Sequence, residues 1–193
     1  MLPSPMTRRH AAALAALLSL LGGPASTAAA DAAPAGGHET ARVYAIGTLI
    51  GAQIRVRGMA RQGAVSAAFA ACVGRLGPEN FDAVWESAIR KALTADELRA
   101  TDRYWGSPAG QRKRQAMRVE TYRSHGEQPP GMAATASAPP LSDDDNAAFA
   151  AFMASAPAAR LNAAFEKNPA VGEAIKARVK VLFDACKAQA GQP

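Results

Sequence analysis

Histidine, cysteine and aromatic residues are all scarce in this chain of 193 residues. With three histidines and two cysteines there is little to build a zinc cluster from. His38 and His125 have no Cys, His or carboxylate partner at ligand spacing, so no metal and no cofactor is expected. No G-x-S-x-G, no P-loop and no dinucleotide fingerprint occurs. The common sequence grounds for a serine hydrolase or a nucleotide-binding enzyme are therefore missing. After residue 30 no apolar run is long enough to cross a membrane. Strong charge of one sign is missing too. The formal net charge is +6, and without Arg8 and Arg9 it falls to 20 basic against 16 acidic side chains. That balance suits an anionic surface or an acidic envelope partner and gives no ground for nucleic-acid binding.

Alanine is abundant, and aromatic residues make up only 6%. Alanine loses no side-chain entropy in a helix, so the composition favours helices with closely packed small-residue faces. The first thirty residues read as a secretory signal peptide. Arg8, Arg9 and His10 form a basic start, residues 11–21 are apolar, Gly22-Gly23-Pro24 breaks the run, and A-x-A cleavage sites lie between Ala28 and Ala30. No cysteine follows to carry a lipid anchor. The expectation is a periplasmic protein, exported by the general or the twin-arginine route, with its start at Met1 or Met6. Cys72 and Cys186 then share an oxidising compartment. An isolated pair there predicts one disulfide, two buried thiols being the alternative. Closing so long a loop has an ideal chain-entropy effect of about 4–5 kcal/mol.

Residues 31–38 read as a flexible lead-in, 39–123 as an N-terminal helical part, 124–140 as a flexible linker or loop, and 141–190 as a C-terminal helical part packed on the first. In the first helix, Val43, Ile46, Gly47, Ile50 and Ile54 share a face, with Arg42, Gln53, Arg55 and Arg57 on the wet side. Gly47 and Gly51 form a G-x-x-x-G that hints at close helix approach. A second helix is expected from residue 62 or 63, with Val65, Phe69, Cys72 and Leu76 inward. A third buries Phe81, Val84, Trp85, Ala88 and Ala92. The last carries Val171, Ile175, Val179, Leu182 and Cys186 on one stripe, leaving Glu173, Lys176, Lys180 and Lys187 off it.

The stretch from Leu93 to Gln115 carries the most information. Thr94 and Glu97 stand at capping-box spacing. Tyr104-Trp105 follows, Gly106 ends the helix, and Ser107-Pro108 restarts one with Ser as N-cap and Pro in its first turn. Ala109 and Gly110 are small enough for two helices to meet. A shift of 48 residues brings a second copy into register. Thr94 meets Ser142, Glu97 meets Asp145, Tyr104 meets Phe152, Ser107 meets Ser155 and Arg112 meets Arg160. Either this is a repeated helix–corner–helix unit, or two capped helices resemble each other through shared local rules.

Asp96, Glu97 and Asp102 could supply an acid and a base, although capping accounts for the first two. Tyr104-Trp105 could line a ligand groove or anchor a helix pair. Arg112, Lys113, Arg114, Arg118 and Arg123 form a candidate binding face on the helix beyond the corner.

The run LTADELRA…YWGSPAGQR resembles the signature of the bacterial family called domain of unknown function 2059. The residues that carry it are Thr94 to Leu98, Tyr104-Trp105, Ser107-Pro108-Ala109-Gly110 and Gln111-Arg112. The resemblance implies an exported helical protein and no activity. The expected fold is all-α, a compact bundle of seven or eight helices with an internal helix–corner–helix repeat as one of its readings. The expected role is a non-catalytic interaction or envelope-associated module. The alternatives are a carboxylate-based hydrolase of envelope polymers and a binder of small apolar ligands between helices, with a cavity beside Trp105.

Overall fold

The computed structural model describes residues 37–132, 137–138 and 140–191, with eight α-helices and no strand among them. The signal-peptide reading of residues 1–30 lies outside the described residues. So do residues 31–36 of the lead-in and residues 133–136 and 139 of the 124–140 stretch. The helices are α1 (His38–Arg61), α2 (Ala67–Gly74), α3 (Glu79–Ala92), α4 (Ala95–Gly106), α5 (Pro108–Ser124), α6 (Asp143–Met153), α7 (Ala156–Lys167) and α8 (Pro169–Gln189). The all-α bundle expected from composition is what forms.

α1 is the spine, packed by α2, α3, α4 and α5. Its fully buried stripe is Ala41, Ala45, Leu49, Ile50, Gln53 and Val56, one step round from the expected face. Of the five residues expected inside, only Ile50 is fully buried. Val43, Ile46, Gly47 and Ile50 instead border a crevice beside Arg114, Met117, Arg118 and Thr121 of α5. The physical reason is size. Ala41 and Ala45 let α3 come close, so Phe81 and Trp85 fill the space that longer α1 side chains would occupy. Gly47 and Gly51 are exposed, and a Cβ at either would meet nothing within 4 Å, so the G-x-x-x-G brings no helix close.

Gln53 also departs from its expected wet position, being 3% exposed. Its burial is satisfied on every side. The Nε2 amide donates toward the carbonyls of Val73, Gly74 and Leu76 at 3.3–3.4 Å, and Oε1 accepts from the Tyr122 hydroxyl at 2.6 Å. One amide thus caps the open carbonyl end of α2 and ties in α5.

The main core joins α1, α3, α4, α7 and α8 through Phe81, Trp85, Ile89, Leu98, Leu161 and Leu182. Tyr44, Trp85 and Phe165 meet there with ring centroids 4.9–5.1 Å apart. A smaller cluster of Val56, Phe69, Cys72, Val73 and Cys186 holds α2 against α8. Cys72 and Cys186 stand at disulfide distance, with Cα atoms 5.6 Å apart across 114 residues of sequence. α2 itself starts later than expected. Gly63 takes φ +71° after α1, and the Ser66 hydroxyl accepts the Phe69 N–H at 3.1 Å.

Two stretches expected to be flexible are partly anchored. At the lead-in, the Gly37 N–H donates to Asp102 and His38 already belongs to α1. In the 124–140 stretch, the side chain of Glu127 is buried between Arg57 and Arg61. Next to it the carbonyls of Gln128 and Pro130 accept from Arg57 and Arg118.

Candidate functional site

The corner between α4 and α5 is assembled by short-range chemistry. The Thr94 hydroxyl accepts the Glu97 N–H at 3.4 Å, and the Thr94 N–H donates to Glu97 Oε2 at 2.9 Å. Gly106 closes α4, and Ser107 serves both as its C-cap and as the N-cap of α5. The Ser107 hydroxyl accepts the Gly110 N–H at 3.1 Å and donates to the Tyr104 carbonyl at 2.6 Å. Pro108 occupies the first turn, and Ala109 is half-buried. Gly110 is buried, and a Cβ there would sit 2.1 Å from the Tyr104 carbonyl oxygen. Only glycine fits.

The second unit docks on this corner with reciprocal contacts. Arg112 donates twice to Asp145, at 2.9 and 2.6 Å, while Arg160 reaches Glu97 at 3.0 Å. Under the 48-residue shift, Arg112 corresponds to Arg160 and Glu97 to Asp145. Each arginine therefore grips the capping-box carboxylate of the other unit. At the join the corresponding rings of Tyr104 and Phe152 stack at 4.2 Å and 7°. This i-to-j, j-to-i pairing is the pattern of an isologous interface, here within one chain.

These contacts occupy the residues expected to be functional. Asp145 is 2% exposed, and the hydrogen bonds from Arg112 hold its carboxyl below the usual range. The hydrogen bond from the Thr94 backbone lowers Glu97 in the same sense. Asp96 pairs with Arg99. Asp102 accepts from the Gly37 and Thr40 N–H groups and from the Thr40 hydroxyl at 2.7 Å, capping an α1 N-terminus that has no cap of its own. The three carboxylates weighed as acid or base each serve a helix end or an exposed ion pair. His125 bonds locally to Thr121 and Ser124. Among the described residues no group of three His, Cys, Asp or Glu side chains could hold a metal.

The basic face of α5 is likewise drawn into the molecule. Besides Arg112, Lys113 lies 4.3 Å over the Phe149 ring, Arg114 pairs with Glu39 at 3.0 Å, and Arg118 donates to the Pro130 carbonyl. Arg123 is exposed. The set is arranged as ties to α6, α1 and the 124–140 stretch more than as one free patch.

Nor does Trp105 line the cleft beside it. It is 5% exposed and packed edge-on against Tyr104. The neighbouring cleft of about 320 Å³ is bounded by Ala100, Thr101, Tyr104, Ala148 and Phe152. The Tyr104 hydroxyl is buried without a partner among the described residues, and burial together with the nearby Asp145 charge pushes its pKa up.

A larger concavity lies elsewhere. A groove of about 730 Å³ runs between α1, the start of α2 and α8. Val56 and Met59 come from α1, Val65 and Phe69 from the α2 region, and Ile175, Val179 and Phe183 from α8. The Phe69 and Phe183 rings meet edge to face at 5.5 Å. Arg55, Lys176, Lys180, Asp184 and Lys187 are its charged lining residues, and Gly51 lies on its α1 side. The Cys72–Cys186 pair ties two of the walls together just behind this surface. Sequence reasoning placed Arg55 and the three lysines merely off the buried stripe. The available signal was Lys176, Lys180 and Lys187 bordering Val179 and Phe183 along α8. Comparison with protein-family models, curated proteins and solved structures finds no match to this chain. The fold and the groove themselves are thus the ground for a functional reading.

Proposed function

We propose that this chain is a non-catalytic binding module of the cell envelope, exported by its first thirty residues, which takes an apolar chain into the groove between α1, α2 and α8. Membership of the domain of unknown function 2059 family belongs to the same reading and rests on residues 93–115. The observation that supports binding is the groove. Its volume of about 730 Å³ falls in the range of small-molecule sites. Its walls are mainly aliphatic and aromatic, and a few charged groups stand at its border. This moves the apolar-ligand idea from Trp105 to the opposite end of α1. The hydrolase idea has less support, because its candidate acids already have other partners.

Gly51 supplies the test. It lines the groove, is exposed, and a Cβ there would meet nothing within 4 Å. Gly51→Phe should therefore narrow the groove from a position where a Cβ meets no neighbour, and replacing a mid-helix glycine should not weaken α1. The neutral fluorophore N-phenylnaphthylamine should bind the unaltered protein saturably. The variant should keep its Tm and lose about tenfold or more in affinity. Equal binding by both proteins, or no saturable binding at all, would overturn the reading.

A further inference from the structure

The groove's border says which apolar chain it suits. We infer that the ligand is a free single-chain amphiphile with an anionic head, of the fatty-acid type. This rests on the groove being a binding site and adds the chemical class of its occupant.

Two observations lead there. The first is charge. Arg55 on α1 and Lys176, Lys180 and Lys187 on α8 line the groove, against a single lining carboxylate, Asp184. Lys180 holds Asp184 at 2.6 Å, and Lys176 holds Glu173 at 2.7 Å. Both are exposed pairs one helical turn apart, which contribute little and exchange readily for another anion. Arg55 and Lys187 have no hydrogen bond or salt bridge among the described residues, though Lys187 adds to the field that lowers the Asp184 carboxyl. The excess is cationic and comes from both walls. Long basic side chains extend an apolar wall with their alkyl stems while their heads stay in water. An amphiphile seated here would have its chain on Val56, Phe69 and Phe183 and its head among these cations.

The second observation is depth. Val56 and Phe69 are only 1% and 3% exposed, so they form a recessed floor. Among the described residues the large hydrophobic side chains that stand out from the surface are Met117, Met153 and Val181, and none lines the groove. Insertion into a bilayer needs apolar side chains that protrude. A recessed floor suits a detached molecule that enters the protein, and that decides between a free ligand and a membrane surface.

The experiment is competition. N-phenylnaphthylamine is bound to the full chain and displaced by oleate, by oleyl alcohol with the same chain and a neutral head, and by oleylamine, all below their aggregation limits. A parallel arm measures co-sedimentation with phosphatidylglycerol vesicles. Oleate should displace the probe about tenfold more effectively than the alcohol, and the amine least effectively. The advantage should shrink as salt rises. The double variant Arg55→Glu, Lys187→Glu changes two exposed side chains, so its Tm should hold while the oleate advantage disappears and alcohol displacement persists. Equal displacement by oleate and alcohol would overturn the anionic head and leave the groove reading standing. Vesicle binding without displacement by free oleate would overturn the detached ligand. Failure of the probe to bind at all would remove both readings together.

Discussion

The helix pairs α4–α5 and α6–α7 follow one local plan and reach different depths in the protein. Each begins with a capping box, Thr94 with Glu97 and Ser142 with Asp145. Each turns at a serine N-cap with a proline in the next turn, Ser107-Pro108 and Ser155-Ala156-Pro157. Yet Trp105 is 5% exposed, and its counterpart Met153 is 40% exposed. Asp102 caps α1, whereas the matching position, Ala150, has no polar side chain to offer. The carboxylates reverse the order, with Asp145 buried and Glu97 half-buried. Capping rules operate over three or four residues and can be repeated at will. Burial depends on what lies across the interface: α1 packs along both helices of the first unit, while it meets the second through Tyr44 on Phe165.

The corner glycine is where this difference is sharpest. α4 runs on to Gly106 and shares Ser107 with α5, so α5 starts hard against the Tyr104 carbonyl. α6 stops at Met153 and leaves Ala154 between its end and Ser155. The spacing is the same in both units, but with Ala154 outside the helix the second corner has room for the Cβ of Ala158, which is 3% exposed. Gly110→Ala should therefore cost about 3 kcal/mol, since the obstructing atom is backbone and cannot rotate away. Ala158→Gly should cost about 1 kcal/mol, the ordinary helix-interior difference. Urea denaturation of the two variants measures both. Equal losses would mean that the two corners share one geometry.

The ion pairs rank the other way, because the second unit contributes the more deeply buried carboxylate. Asp145→Asn leaves Arg112 facing a neutral amide inside the interface, and Tm should fall by several degrees. Both arginines are about half in water, so the difference lies in the carboxylates: Glu97 is the more exposed of the two, and Glu97→Gln should move Tm less. The pH dependence separates them further. The native Asp145 carboxyl is held below the usual range, so its contribution is complete above the unfolded value of about 4 and is lost as pH falls from there toward the native value. The Tm gap between wild type and Asp145→Asn should accordingly be constant at neutral pH and narrow in acid. A gap that widens in acid would rule out the charged pair as its source.

How much of this could be read from the chain depended on the range of each interaction. Thr94, Glu97, Ser107, Pro108 and Gly110 act on neighbours within a few positions, and their roles follow from spacing alone. The buried stripe of α1 does not. Val43 and Ile46 are more hydrophobic than Ala41 and Ala45, but the aromatic side chains of α3 need the small residues beside them. Gln53 reads as a surface residue until the carbonyl end of α2 and the Tyr122 hydroxyl are brought to it. The basic residues of α5 read as a free face for the same reason, since Asp145 is 33 residues away and Glu39 is 75. The groove draws its walls from positions 48 to 187, beyond any periodicity argument.

The smallest effect tests whether the two units recognise each other directly. Tyr104 and Phe152 occupy equivalent positions and stack on one another, so neither unit owns the contact. Tyr104→Leu and Phe152→Leu keep apolar volume and remove the ring pair. Each should destabilise by a similar amount, except that Tyr104→Leu also removes a buried hydroxyl that has no partner among the described residues, which offsets part of its loss. Tyr104→Leu should therefore be the milder change, although Tyr104 belongs to the more deeply buried unit. In a double-mutant cycle the two should couple by about 1 kcal/mol, the worth of an aromatic pair beyond its buried area. Zero coupling would mean that the rings meet only because the reciprocal arginines bring them together.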